Sequence, residues 1–234
     1  MPSAQHVETN EPLKRPAGGD PHSLLGEIDG LNFGNLVSLH RRGSVLFAEG
    51  EPARGVYIMR TGRATVSICS SEGRIVILRM AQAGDVLGLN AVLRNSTYEA
   101  TVKILEPSRV NFISRADVMH LVENRDAGAA AVMKQLSCEL AELTDRARSL
   151  LLPQTAQTRL AQLLLHWSKE QNGNNSRTRV VDKLYTHEEI AQMICSSRET
   201  VTRLLATLTR RDIIQVTSDS VLIHDPFALE SMTR

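Results

Sequence analysis

From about Ser44 to Ser114 the apolar residues fall in short β-branched runs, Val56-Tyr57-Ile58-Met59, Ala64-Thr65-Val66-Ser67-Ile68 and Arg74-Ile75-Val76-Ile77-Leu78, broken by Gly50, Gly55, Gly62, Gly73 and Gly84. Runs of that length between glycine turns predict short strands at nearly regular spacing, which close into a small β-barrel or β-roll. At Ser114 the period lengthens. Ser114-Arg115-Ala116-Asp117 opens like a capping box and predicts a short helix to about Asn124. Between Asp126 and Leu152, Ala129, Met133, Leu136, Leu140, Leu143, Ala147 and Leu150 recur at alternating steps of four and three, a heptad-like seam that Pro153 ends. Such a seam either lies on the chain's own barrel or pairs with a second copy, and its regularity favours self-association.

After Pro153 a further helix is predicted from Arg159 to about Lys169, with Leu160, Leu163, Leu164 and Trp167 as its buried stripe. The polar run Gln171-Asn172-Gly173-Asn174-Asn175-Ser176 reads as an exposed loop. Residues 1–22, with Pro2, Pro12, Pro16, Gly18, Gly19 and Pro21 among polar residues, cannot bury much apolar surface and read as a disordered tail. The pattern therefore divides an α+β chain into a tail (1–22), a β-roll domain (23–125), a long helix (126–152) and a helical C-terminal domain (153–234), with the hinge near Leu152–Thr155.

The most informative segment begins at Thr186. Thr186-His187-Glu188-Glu189 is a capping box, and Ile190, Ala191 and Ile194 form an apolar stripe behind it. Cys195 and Ser196 interrupt the helix, and Ser197 can cap the next one, Arg198 to about Arg210. At about 100° per residue, Arg198, Glu199, Thr202, Arg203, Ala206 and Arg210 share one side, while Val201, Leu204, Leu205 and Leu208 share the other. Four arginines against one glutamate between Arg198 and Arg211 concentrate positive charge on the outward side. Beyond it, Ile213–Val216 and Val221–Ile223 flank the turn Ser218-Asp219-Ser220 and predict a hairpin. Two helices joined by a tight capped turn, a basic outer face and a hairpin make a winged helix-turn-helix. The chemistry fits double-stranded DNA: the arginine fork matches guanine O6/N7, glutamate accepts from the cytosine amino group, and threonine serves a phosphate or a thymine methyl.

Composition narrows the remaining choices. The 234 residues are 42% hydrophobic, 23% charged and 3% aromatic, which suits a globular chain with aliphatic cores. A net charge of +1 is uninformative, because a polyanion responds to local clustering. No apolar run reaches the roughly 18 residues of a membrane span and no signal peptide opens the chain, so a cytoplasmic protein without membrane partners is expected. The three cysteines, Cys69, Cys138 and Cys195, are widely spaced and suggest neither a disulfide framework nor a metal knuckle.

With these residues in view, the chain resembles the Crp/Fnr superfamily of bacterial regulators over roughly residues 30–230. Ser197-Arg198-Glu199-Thr200-Val201-Thr202-Arg203 is similar to the recognition-helix motif of the cyclic AMP receptor protein branch, with Thr202 where that branch often has Gly. The resemblance implies that Arg198, Glu199 and Arg203 read base edges, that Ser197, Thr200 and Thr186 approach phosphates, and that the half-site resembles TGTGA in an inverted repeat. His187 stands where Arg is common. Homodimerisation through the long helix and RNA polymerase as a partner are implied as well. Glu49-Gly50-Glu51-Pro52-Ala53, followed by Val56–Met59 and Gly62-Arg63-Ala64, is similar to the family's β-roll.

The phosphate-binding cassette departs from the family pattern. Gly84-Asp85 and Gly88 are kept, but Leu89 replaces a ribose-binding Glu, and Tyr98-Glu99, ahead of Ala100, replaces Arg-Ser. Losing the arginine that neutralises a buried cyclic phosphate, and placing Glu99 nearby, should cost several kcal/mol of binding. Cyclic AMP is therefore expected to bind weakly or not at all, and no cofactor is identified. An unknown, less anionic effector is one alternative, with Tyr98 presenting an aromatic face and a hydroxyl and Thr144-Asp145 reaching it from the long helix. A vestigial pocket, with regulation independent of an effector, is another. A redox or gas sensor on the same scaffold stays open through haem on His40 or His120 or oxidation of Cys69. Cys195 in the turn reads as a small packing residue. An enzyme is not expected: Asp85 and Glu99 have no ordering partners in sequence, and the seven histidines are scattered.

Overall fold

The computed structural model describes Leu24, Gly26, Ile28 and residues 37–124, 126–151, 154–172, 179–182, 185–217 and 220–233. The tail 1–22, Leu152 and Pro153 of the hinge, residues 173–176 of the polar loop and Ser218-Asp219 of the hairpin turn lie outside the described residues. The chain falls into two units, Met1–Leu143 and Thr144–Arg234.

In the first unit, glycine-punctuated β-branched runs form β1 (Val37–His40), β2 (Val45–Phe47), β3 (Gly55–Thr61), β4 (Ala64–Cys69), β5 (Ile75–Ala81), β6 (Val86–Leu87), β7 (Thr101–Ile104) and β8 (Ser108–Ser114). They pair antiparallel in two four-stranded sheets, ordered β1-β8-β3-β6 and β2-β7-β4-β5. The strands begin at Val37, earlier than the apolar runs indicate, because β1 pairs along β8 from Val37 opposite Asn111 to His40 opposite Ser108. Val56, Ile58, Met59, Val110 and Ile113 bury their side chains in a common core with Leu24 and Ile28. Helix α1 (Leu89–Leu93) follows β6, and α2 (Arg115–Asn124) starts where Ser114 Oγ accepts from Asp117 N at 3.2 Å.

Helix α3 (Asp126–Leu151) begins against the roll. A Cβ on Gly128 would sit 2.6 Å from the Leu121 carbonyl, so only glycine allows α2 and α3 to approach this closely. Ala131 and Val132 are buried in the roll core, and Leu136 packs against it. Met133 (63% exposed) and Leu140 (66%), with Leu143, are left uncovered. The heptad seam is thus divided between the chain's own roll and an uncovered apolar stripe.

In the second unit, α4 (Ala156–Asn172) precedes β9 (Arg179–Asp182), α5 (His187–Met193), α6 (Arg198–Arg210), β10 (Ile214–Val216), β11 (Ser220–Ile223) and α7 (Pro226–Ser231). Helix α4 is longer than its apolar stripe suggests: Thr155 Oγ1 accepts from Thr158 N at 3.1 Å and starts it early, and the helix absorbs Gln171 and Asn172. The expected hairpin is two strands of a three-stranded antiparallel sheet, ordered β10-β11-β9. Leu160, Leu164, Ile194, Ile214 and Ile223 are fully buried, and Trp167 stacks on Tyr185 at 4.6 Å.

Candidate functional site

Two clusters of side chains hold the chemistry, one in each unit. In the second unit, a reciprocal capping box starts α5. Glu189 N donates to Thr186 Oγ1 at 3.2 Å and Thr186 N donates to Glu189 Oε2 at 2.7 Å, satisfying two otherwise orphaned donors. Ile190, Ala191 and Met193 are buried. The turn then passes through Cys195 at φ +49°, a left-handed conformation that lets the chain reverse within four residues, with the thiol half-buried. Arg159 of α4 braces this turn by donating from Nε to the Ile194 carbonyl at 2.7 Å and from Nη1 to the Gln154 carbonyl at 2.8 Å. An arginine on the final carbonyls of a helix favours their partial negative charge.

Ser197 caps α6 by accepting from Thr200 N at 3.2 Å. Backbone and Ser197 hydrogen bonds hold the Glu199 carboxyl below the usual carboxylate range. Val201, Leu205 and Leu208 are buried, whereas Arg198, Glu199, Thr202, Arg203, Ala206 and Arg210 are exposed and Thr200 is half-buried. His187 joins α5 to this face through Nδ1, 2.9 Å from Thr202 Oγ1. The structure therefore brings His187 at the start of α5 against Thr202 on the exposed face of α6, while Thr186 and Ser197 cap the two helices.

In the first unit, Gly84 and Asp85 form the turn before β6, and Asp85 Oδ2 accepts from Gln82 N at 3.2 Å and from Arg79 Nη1 at 2.7 Å. Arg79 Nε also lies 3.8 Å from Glu142 Oε2, and burial pushes the neighbouring Glu139 carboxyl up. Leu89 is buried in the core. Tyr98, only 4% exposed, stacks on Phe47 at a centroid distance of 3.9 Å and donates its hydroxyl to the Gly55 carbonyl at 2.7 Å. The phenol is pushed up to about 12, first by burial and then by Tyr57. Gly88, at φ +82°, accommodates this ring, since a Cβ there would lie 2.6 Å from Tyr98 Cε1. Glu99 is exposed and accepts from Asn90 Nδ2 at 2.6 Å and Arg94 Nη1 at 2.9 Å, with half-buried Ala100 following it. Asp85 and Glu99 are thus held by different arginines, which is not the geometry of a paired acid and base.

Some expectations are corrected here. The Tyr98 hydroxyl anticipated for an effector is committed to Gly55, and its ring packs inward because the aromatic neighbours Phe47 and Tyr57 offer apolar contact there. Asn90 and Arg94, one helical turn apart, were not anticipated as partners of Glu99, nor was Arg79 as the partner of Asp85. Thr144 is exposed and belongs to the second unit, and the Asp145 side chain lies outside the described residues. His40 Nε2 is 2.7 Å from Ser38 Oγ, and burial lowers the His40 pKa. His120 and Cys69 are exposed. No cluster of three metal-binding side chains occurs among the described residues.

The model of a cyclic nucleotide-binding domain matches residues 39–125, and that of a Crp-like helix-turn-helix domain matches residues 158–232. The chain belongs to the Crp/Fnr superfamily. Among its Crp/Fnr relatives, the CRP-like cAMP-activated global transcriptional regulator of Mycobacterium tuberculosis is 26% identical over 196 residues, covering 82% of this chain and 86% of that protein. The anaerobic regulatory protein of Bacillus subtilis is 25% identical over 181 residues, 76% of each chain. The solved structure of FixK2 from Bradyrhizobium japonicum shares the fold with a TM-score of 0.73 at 20% identity, covering 86% of this chain and 98% of that one. The Crp/Fnr regulators bind DNA through their helix-turn-helix, and the Mycobacterium tuberculosis relative is by name a transcriptional regulator. Among the described residues no helix is long and apolar enough to cross a membrane.

Proposed function

We propose that this chain is a homodimeric, sequence-specific regulator that lays α6 of each subunit in successive major grooves, about 34 Å apart, of an inverted repeat with TGTGA-like half-sites. The observation that carries this reading is the two-sided α6, with Val201, Leu205 and Leu208 buried behind an exposed face of Arg198, Glu199, Thr202 and Arg203. Arg198, Glu199 and Arg203 read base edges; Thr186, Ser197 and Thr200 approach phosphates. Residues 153–234 form the DNA-binding domain, 126–152 the dimer helix and 23–125 the sensor, with RNA polymerase as the downstream partner. Selection from random duplexes by the purified protein is expected to return TGTGA-like inverted repeats; enrichment without such a half-site overturns the assignment.

Dimerisation is supported by the uncovered stripe Met133, Leu140 and Leu143. Burying a leucine contributes about 1.5–3 kcal/mol, so the double substitution Leu140→Glu with Leu143→Glu should convert the dimer to monomer in sedimentation velocity.

For the sensor, the inward packing of Tyr98 supports a β-roll that does not take cyclic AMP in the usual way. Tyr98 occupies the sequence position of the usual phosphate-binding arginine, and Glu99 beside it engages Arg94. Calorimetric titration with cyclic AMP is expected to give no saturable heat at micromolar ligand; micromolar binding would refute this part of the reading. An effector of the domain would be a less anionic molecule.

A further inference from the structure

We propose that the His187–Thr202 pair makes the grip on duplex DNA proton-dependent, with His187 contacting a backbone phosphate only as the imidazolium. The inference rests on the reading of α6 as the groove-inserted helix. Thr202 Oγ1 lies 3.0 Å from the Arg198 carbonyl, the usual back-bond of a helical threonine, and this takes its one hydroxyl proton. His187 Nδ1, 2.9 Å from the same oxygen, must then be the donor. This network assigns the neutral tautomer, leaving Nε2 with a lone pair that repels a phosphate oxygen. Protonation turns Nε2 into a donor and adds a positive charge, and imidazole is the side chain that makes this change between about pH 5 and 8. Thr202, its hydroxyl committed, offers DNA its methyl group, which suits apolar contact with a thymine methyl.

The surroundings leave phosphate as the natural counter-charge. The cleft beside His187 is lined by apolar side chains including Trp167, Leu205 and Val221, with Tyr185 its other titratable member. On its own helix, Glu189 is taken by Thr186 and Glu188 lies 3.5 Å from Gln192. From α6 the charged residues nearest Thr202 in sequence are Arg203, Glu199 and Arg198; the exposed Glu199 carboxylate is held by backbone and Ser197 hydrogen bonds, and the two arginines draw in the same polyanion.

The test is fluorescence anisotropy of the full-length protein on a duplex from the selection, at about pH 6 and about pH 8. Binding should be roughly tenfold tighter per subunit at the lower pH. The plot of log affinity against log salt should be steeper there by about 2 for a dimer, since each added phosphate contact contributes about 0.9. His187→Gln should abolish both differences, His187→Arg should bind tightly at both pH values, and Thr202→Val, which frees the tautomer, should shrink the pH effect. If His187→Gln keeps the full pH and salt differences, the proposal is overturned and the proton-dependence arises at another group. Arg203→Ala separates the two readings: if it binds as well as the wild type, the groove assignment itself fails, whereas if it is impaired while His187→Gln titrates normally, only the proton-dependence fails.

Discussion

Arg203→Ala is expected to bind the selected operator roughly thirty-fold to twenty-thousand-fold more weakly than the wild type. A bidentate arginine–guanine pair contributes about 1–3 kcal/mol, a dimer has two, and each ~1.4 kcal/mol is tenfold in affinity. Discrimination should relax at one base pair in each half-site while the rest of the recognition pattern is kept. The Arg203 side chain is exposed, so the folded state should change by less than about 0.5 kcal/mol, and the melting temperature distinguishes lost readout from lost structure. If the variant keeps wild-type affinity and sequence preference, α6 does not read DNA through this residue.

The second large effect is on stability and lies in the sensor. Tyr98→Ala removes a buried ring stacked on Phe47 and leaves the Gly55 carbonyl without its donor. Truncating a buried aromatic costs about 3–5 kcal/mol, enough to lower the melting temperature of the roll by ten degrees or more. Tyr98→Phe keeps the ring and should cost only about 1–2 kcal/mol. The two variants also differ from the wild type in alkali. The folded-state phenol is raised to about 12, above its unfolded range near 10, so its contribution is fully present below that range and is lost as pH rises through about 12. Chemical denaturation across this window should show a shallower decline for Tyr98→Phe. Tyr57, raised in the same direction by burial, leaves a residual slope. An Ala variant as stable as the wild type would mean that Tyr98 is not packed in the core, and cyclic AMP binding would need reconsideration.

The helix-turn-helix was the most legible part of the chain because its signals are local. Thr186 and Ser197 cap helices whose first donors lie three residues on, and the apolar period of α6 separates its two faces within thirteen residues. Strand β9 was not legible: Arg179–Asp182 is too short to show alternation and exists by pairing with β11. The two ion pairs Arg79–Asp85 and Arg94–Glu99 were also missed, since a turn in one case and a short helix in the other decide which charges meet.

The long helix and Tyr98 mark the division most clearly. Periodicity, capping residues and glycine turns are properties of neighbouring residues, so they dictate that Asp126–Leu151 is helical, that α6 is amphipathic and that strands form between glycines. They cannot assign a seam to one partner or a tyrosine to one surface, because that choice depends on which distant side chains close around it. Packing gave Val132 and Leu136 to the roll while leaving Met133 and Leu140 uncovered, and it turned Tyr98 onto Phe47, 51 residues earlier in the chain.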